Sequence, residues 1–310
     1  MHEQDIGFDS NGFRLSGTLT LPDGDGPFPA AVFIAGSGEV DRNENHKKMQ
    51  INCFNELARH LAGRGFASLR FDKRGVGASE GKFLTAGFYD NVVDAASGFH
   101  LLKQQEQVDA GRVFIVGHSE GALIASRLAG DEGVVAAGIV LLAGTARPGK
   151  KVLEWQAGEV VKHMKGFQGW LIRILPVDPL KIQRKLLAKV ASSTGETLRV
   201  QLVVKINAKW MREFIAYDPA ADLAKSRCPV LGITGENDIQ VNPADVESMK
   251  EIVSGPFEGH VVPDVTHLLR AGEPGMADYK RQLKSPLDDR VTALLVDWLE
   301  VRAGASKFAG

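Results

Sequence analysis

A serine with a glycine two positions to either side, Gly117-His118-Ser119-Glu120-Gly121, is the arrangement in this 310-residue chain best suited to nucleophilic chemistry. The apolar run Val113-Phe114-Ile115-Val116 before it reads as a buried strand, and Ala122 to Leu128 after it reads as a helix. Ser119 is therefore expected on a sharp strand-to-helix elbow. Such a turn strains the serine backbone, and glycines at the flanking positions remove the Cβ atoms that would collide with strand and helix. The helix start aims free N–H groups and its positive dipole end at any anion forming beside the hydroxyl. A second match to the same spacing, Gly77-Ala78-Ser79-Glu80-Gly81, follows a loop and runs on into loop, so it lacks this setting.

A serine hydroxyl at neutral pH needs a base, and the base needs an acid to orient it. Of eight histidines, His118 is locked in the elbow and expected to point away from the hydroxyl. His2, His46, His60, His100 and His163 fall in an N-terminal tail, a loop, helix-like segments and a mid-chain insertion. His267 lies just past the strand-like Gly259-His260-Val261-Val262 and is the expected base, with His260 as its competitor. Asp238, in Gly235-Glu236-Asn237-Asp238 directly after the strand-like Pro229 to Thr234, is the expected acid, ahead of Glu236 and Asp264. The chemistry within reach of this set is acyl transfer. Ser119 attacks a carbonyl, His267 takes and returns the proton, Asp238 fixes the imidazole tautomer, and water resolves the acyl-enzyme.

Positioning three such distant residues is a task for a sheet. Phe13 to Leu21 alternates apolar and polar after an Asn11-Gly12 turn signal and reads as a hairpin arm. Ala30 to Ala35 is a short apolar run, as expected of a strand buried on both faces. Helix-like segments (Phe54 to Arg64, Tyr89 to Gln105, Ala122 to Ala129) then alternate with strand-like ones (Phe66 to Phe71, Arg112 to Val116, Ala137 to Leu142). That alternation predicts an α/β fold with a mostly parallel central sheet and helices on both faces. After Pro148 the pattern becomes helix only until Pro229 to Thr234, and the chain ends in a helix, a strand and a helix over Asp288 to Val301. The expected organisation is a core of residues 1–144 and 226–310 with a helical cap inserted at 145–225. Within the cap, Phe167, Trp170, Leu171, Ile174 and Leu175 follow the stripe of an amphipathic helix. The cap carries 15 Lys/Arg against 7 Asp/Glu, a net +8 that leaves −9 on the remainder. Such asymmetry suits a solvated outer face or attraction to anionic ligands.

Composition excludes other classes. The chain is 44% hydrophobic and 24% charged, which removes disordered and fibrous readings. A net charge of −1 offers no field for a phosphate backbone, so nucleic acid is not an expected partner. Two cysteines without metal-ligand spacing suit a reducing compartment. With no leader-like h-region and no apolar run of about 18 residues, a cytoplasmic protein without stable membrane insertion is expected. The starts Gly36-Ser37-Gly38 and Gly75-Val76-Gly77 lack the third glycine of a dinucleotide fingerprint, and there is neither a phosphate-binding Walker loop nor H-E-x-x-H. No cofactor and no metal are expected.

Taken with the order Ser119, Asp238, His267, these segments resemble the α/β-hydrolase fold, in its serine esterase, lysophospholipase and serine-aminopeptidase-like branch. The likeness rests on the elbow, on Ile34-Ala35-Gly36-Ser37-Gly38, on Phe71-Asp72-Lys73-Arg74-Gly75-Val76-Gly77-Ala78-Ser79, on Thr234 to Asp238 and on Asp264 to His267. Gly36 to Asn43 is similar to a glycine-rich, Asp-Arg-containing loop of a group of bacterial carboxylesterases. The resemblance implies an oxyanion hole made by the backbone N–H groups of Ser37 and Glu120. Many members carry His-Gly where this chain has Ala35-Gly36, so the bond that steadies this loop must come from elsewhere. The implied activity is hydrolysis of a small-molecule carboxylic ester with an apolar acyl group, by a monomer or homodimer. Trp155, Phe167, Trp170, Trp210 and Phe214 of the cap would cover the acyl pocket. Peptidase, thioesterase or acyltransferase chemistry on the same residues, and a non-catalytic ligand-binding role, are the alternatives.

Overall fold

Asn11 and Gly12, at φ 47° and 83°, supply the two left-handed residues that a tight hairpin requires. They join β1 (His2–Ser10) to β2 (Phe13–Leu21). The computed structural model describes residues 1–164, 178–200 and 204–304. After β3 (Phe28–Ile34) come a small hairpin of β4 (Asn45–His46) and β5 (Met49–Gln50), then α1 (Cys53–Ala62) and β6 (Ala67–Phe71). Next are α2 (Phe88–Lys103), β7 (Val108–His118), α3 (Glu120–Ala129) and β8 (Ile139–Leu142). His2 and His46, expected in a tail and a loop, thus lie on strands. The seventh strand also begins four residues before the expected Arg112.

Eight strands form one sheet in the order β1-β2-β6-β3-β7-β8-β11-β12, where β11 is Val230–Gly235 and β12 is Phe257–Val262. Pairing is antiparallel only at β1/β2 and β2/β6, and parallel from β6 to β12. The fold is that of an α/β-hydrolase. Successive residues of a strand face opposite sides, and here both sides are covered. In β3, Val32 joins one core cluster with Phe99, Leu123 and Leu128 of α2 and α3, while Phe33 joins another with Leu57 and Leu61 of α1. This explains why the strand reads as an unbroken apolar run. Each fully buried leucine of these layers contributes about 1.5–3 kcal/mol by leaving water.

The segment between β8 and β11 holds α4 (Gly149–Lys162), α5 (Pro179–Ala191), a two-stranded hairpin, α6 (Ala208–Ala216) and the one-turn α7 (Ala220–Leu223). The hairpin, β9 (Thr197–Arg199) with β10 (Lys205–Asn207), corrects the expectation of helix only. Strands of three residues are too short for a period-two pattern to register. Asn207 ends the second strand and caps α6, its side chain accepting from Trp210 N and donating to the carbonyls of Phe83 and Ala86. The expected stripe from Phe167 to Leu175 lies outside the described residues. Beyond β11 come α8 (Asp245–Lys250), the short α9 (Tyr279–Gln282) and α10 (Asp289–Arg302), which packs against α1. Among the described residues, no helix is long and apolar enough to cross a membrane.

Candidate active site

The elbow has the strain its spacing implies. Ser119 sits at φ 56°, ψ −115°, a conformation side-chain-bearing residues rarely adopt, between the end of β7 and the start of α3. A Cβ on Gly117 would overlap the carbonyl of Gly121, and one on Gly121 would overlap the carbonyl of Ile34. The turn is anchored by Ser119 N donating to Leu142 O at 2.9 Å and Ala122 N donating to Ser119 O at 3.0 Å. The serine side chain stays partly exposed at the carboxyl edge of the sheet. Ser79, in the second match, is buried instead. Its Oγ donates to Asp72 O and accepts from Ser16 N, so it serves the loop.

Asp238 and His267 meet at the same edge, from the loops after β11 and β12. Asp238 Oδ2 lies 2.8 Å from His267 Nδ1, and Asp238 Oδ1 accepts from the amides of Gln240 (2.7 Å) and Val241 (2.9 Å). Both side chains are nearly closed to solvent. The competitors fall elsewhere: His260 pairs with Glu258 on β12, Glu236 accepts from Asp264 N, and Asp264 is exposed. His267 is brought next to the elbow by its neighbour, since the rings of His118 and His267 are 4.9 Å apart and His118 Nε2 bonds the His267 carbonyl at 3.0 Å. No hydrogen bond joins Ser119 Oγ to His267 among the described residues. Such contacts are often long before substrate binds and tighten in the complex.

The His118 imidazole is engaged by partners outside the elbow. Its Nδ1 lies 2.8 Å from Glu44 Oε2, which also accepts from the Cys53 thiol at 3.0 Å, while Glu44 Oε1 accepts from Gly36 N. Burial works against charge on both partners. Their mutual attraction outweighs it, holding the Glu44 carboxyl below its usual range and raising the imidazole of His118. Burial and the Glu44 charge push the Cys53 thiol well up, which keeps it a donor. Glu44, Cys53 and His118 are the one group among the described residues whose ligand atoms lie close enough, within 4.8 Å, to hold a metal ion. Their hydrogen bonds to one another already use those atoms.

The same cluster answers how the loop after β3 is steadied without a histidine before Gly36. Glu44 takes the Gly36 N–H, and Lys73 Nζ donates to the Gly36 carbonyl. A Cβ on Gly36 would lie 3.3 Å from Ser119 Cβ, which places the loop directly against the elbow. Neither Ser37 N–H nor Glu120 N–H donates to a protein acceptor among the described residues. The Glu120 side chain turns inward, accepting from Lys73 Nζ (3.1 Å), Asn91 Nδ2 (3.0 Å) and Trp210 Nε1 (2.8 Å). Lys73 was in view as part of the Phe71 to Ser79 segment, but Glu44, Asn91 and the task of Trp210 had no local signal.

Beside Asp238 a cleft of about 330 Å³ opens between the loop after β11 and α4, lined by Trp155, Glu159, Lys162, His163, Glu236 and Ile239 among others. Trp210 and Phe214, expected over an acyl pocket, stack on each other at 4.9 Å, with Phe214 against Phe88 of α2. Phe167 and Trp170 lie outside the described residues.

Comparison with known proteins fits this geometry. Residues 48–274, which include Ser119, Asp238 and His267, match the family model for serine aminopeptidase, S33 (Hydrolase_4). Esterase EstD of Thermotoga maritima is 29% identical over 287 residues, 92% of this chain, and the chain spans 65% of the length of that relative. Among solved structures, Est1E of Butyrivibrio proteoclasticus with bound ferulic acid superposes with a TM-score of 0.65 at 17% identity, over 96% of this chain and 99% of its own. Proline iminopeptidase of Mycobacterium smegmatis gives 0.64 at 12% identity, over 97% and 99%. At such identities the two structures speak for the fold. The match over nearly three quarters of the sequence settles descent: the chain belongs to the serine aminopeptidase S33 family of α/β-hydrolases.

Proposed function

We propose that the chain is a serine esterase that cleaves carboxylic esters through an acyl-enzyme. The observation that carries this reading is the Asp238–His267 pair at 2.8 Å beside a serine on a strained elbow. Asp238, held by two backbone amides, keeps Nδ1 of His267 protonated and leaves Nε2 free to take the Ser119 proton. Substrate binding closes the Ser119–His267 gap. The oxygen of the tetrahedral intermediate is received by the N–H groups of Ser37 and Glu120, each donor of this kind being worth about 3 kcal/mol in the transition state. His267 then returns the proton to the leaving alcohol, and water repeats the cycle on the acyl-enzyme.

The described part of residues 145–225 acts as a cap over this edge, with Trp155 and the cleft beside Asp238 offering room for part of a small-molecule substrate. The esterase relative supports an ester in preference to a peptide. A peptidase reading is favoured by the family's description and by the iminopeptidase neighbour. One experiment separates them. A fluorophosphonate probe labels Ser119 in the wild type and not in Ser119→Ala, and the wild type turns over p-nitrophenyl esters faster than aminoacyl p-nitroanilides. The opposite ranking establishes the peptidase, and an unlabelled wild type leaves a ligand-binding protein.

A further inference from the structure

Glu120 contributes its backbone N–H to one side of the elbow and its carboxylate to the other, and that carboxylate joins three parts of the fold. We propose that Lys73 and Trp210 are positioning residues which act through it to set the spacing of the two oxyanion donors, Trp210 doing so from the inserted segment. The inference rests on Ser37 and Glu120 being those donors. Gly36 C=O and Ser37 N–H belong to one planar trans peptide, so they point in opposite directions. By donating to the Gly36 carbonyl from inside the protein, Lys73 turns the Ser37 N–H outward to the edge where Ser119 stands. A cation on the oxygen of an amide also makes its N–H a stronger donor. The same ammonium lies 3.1 Å from Glu120 Oε2, so one buried side chain grips both the peptide that holds the Ser37 N–H and the side chain of the residue that carries the second donor.

Asn91 and Trp210 complete the grip on the other carboxylate oxygen. Asn91 stands on α2 of the core, whereas Trp210 stands on α6, in the insertion. Trp210 is held by its stack on Phe214 and by a helix cap that ties α6 to the carbonyls of Phe83 and Ala86. Glu120 is 2% exposed, so a donor that leaves strands its carboxylate in a site nearly closed to water. Any displacement of α6 is therefore felt at the oxyanion hole, and the insertion governs the chemical step as well as access.

The test measures kcat and KM on p-nitrophenyl acetate, a substrate too small to need an acyl pocket, together with the affinity of an alkyl boronic acid that forms a tetrahedral adduct. Trp210→Phe keeps the ring stack and loses the N–H. It is expected to lower kcat about tenfold with KM little changed, and to weaken the boronic acid by a like factor, while the melting temperature stays near that of the wild type. Lys73→Met is expected to cost about a hundredfold and to melt earlier. Lys73→Met with Glu120→Gln, which removes the stranded carboxylate, recovers the melting temperature but not kcat. Wild-type kcat and boronic acid affinity in folded Trp210→Phe overturn the proposal, and that variant decides alone if the Lys73 variants do not fold. Fluorophosphonate labelling keeps the two readings apart. A wild type unlabelled at Ser119 overturns both, whereas normal labelling with an unaltered Trp210→Phe overturns this one only.

Discussion

His267 is the residue on which the proposed chemistry turns, and its rival is now placed 2.9 Å from Glu258 on β12. His267→Ala is expected to lower kcat/KM on activated phenyl esters by roughly 10⁴-fold with the fold intact by circular dichroism, and His260→Ala to leave it within a factor of about two. A reversal of the two moves the base to His260. Glu44 and His118 make a prediction about pH. The carboxyl of Glu44 titrates lower in the folded protein than its ordinary 4.5, so its contribution is complete above pH 4.5 and is lost as pH falls through the folded value. His118 titrates above its ordinary 6.5, so its contribution is complete below pH 6.5 and is lost as pH rises through the folded value. The pair therefore stabilises most between pH 4.5 and 6.5. The urea midpoint of Glu44→Gln should fall furthest below wild type near pH 5.5, and less at pH 8.5; a gap that widens on going alkaline contradicts the ion pair. The placement of Ser119, Asp238 and His267 at one edge of the sheet was legible because each follows a strand signal at the carboxyl end, where loops of such sheets present chemistry. Glu44 was not, although it directly follows a segment singled out for its glycines. Whether a loop glutamate faces solvent or a buried imidazole depends on a partner 74 positions away, and no local pattern carries that information.

At the scale of elements, two segments that stood out in the sequence for their motifs prove to be fastened together. Arg42 donates to Asp72 from its backbone N–H, Nε and Nη2, at 2.8, 3.1 and 2.7 Å, and Asp72 also accepts from Ala78 N. A Cβ on Gly77 would run into this carboxylate, which gives the glycine a second reason beside its φ of 56°. The loop after β3 is thereby tied to the loop after β6, and the position of Gly36 follows from both. Arg42→Met leaves a buried carboxylate short of its counter-charge and is expected to cost about 3 kcal/mol in urea unfolding, with Asp72→Asn added to it recovering part of the loss. A change under about 0.5 kcal/mol for Arg42→Met means that the ion pair is not a fastening. The strands of the parallel core were readable because both faces are covered. The hairpin of β9 and β10 was not, since its six residues have neither a core face nor a period to display.

For the molecule as a whole, the insertion with its net +8 stands against a core of −9, and it meets that core through α6 on α2 and through Gln156 of α4, which bonds Gln240 at 3.1 Å. Exchanging residues 145–225 for the corresponding segment of an esterase of different preference should shift the optimum along a p-nitrophenyl series from acetate to palmitate, with acetate still cleaved. An unmoved optimum removes the insertion from substrate selection. The sheet order has a consequence in time. Ser119 leaves the ribosome early, whereas its proposed base lies in the loop after the last strand of the sheet, and 149 residues separate His118 from His267. At the ordinary pace of translation, that is a delay of roughly 7 to 30 s. Until β12 docks and the His267 carbonyl finds His118, the proposed nucleophile lacks its base and stays chemically silent. On the proposed mechanism, a polypeptide interrupted anywhere before His267 is released inert, unable to attack the esters around it.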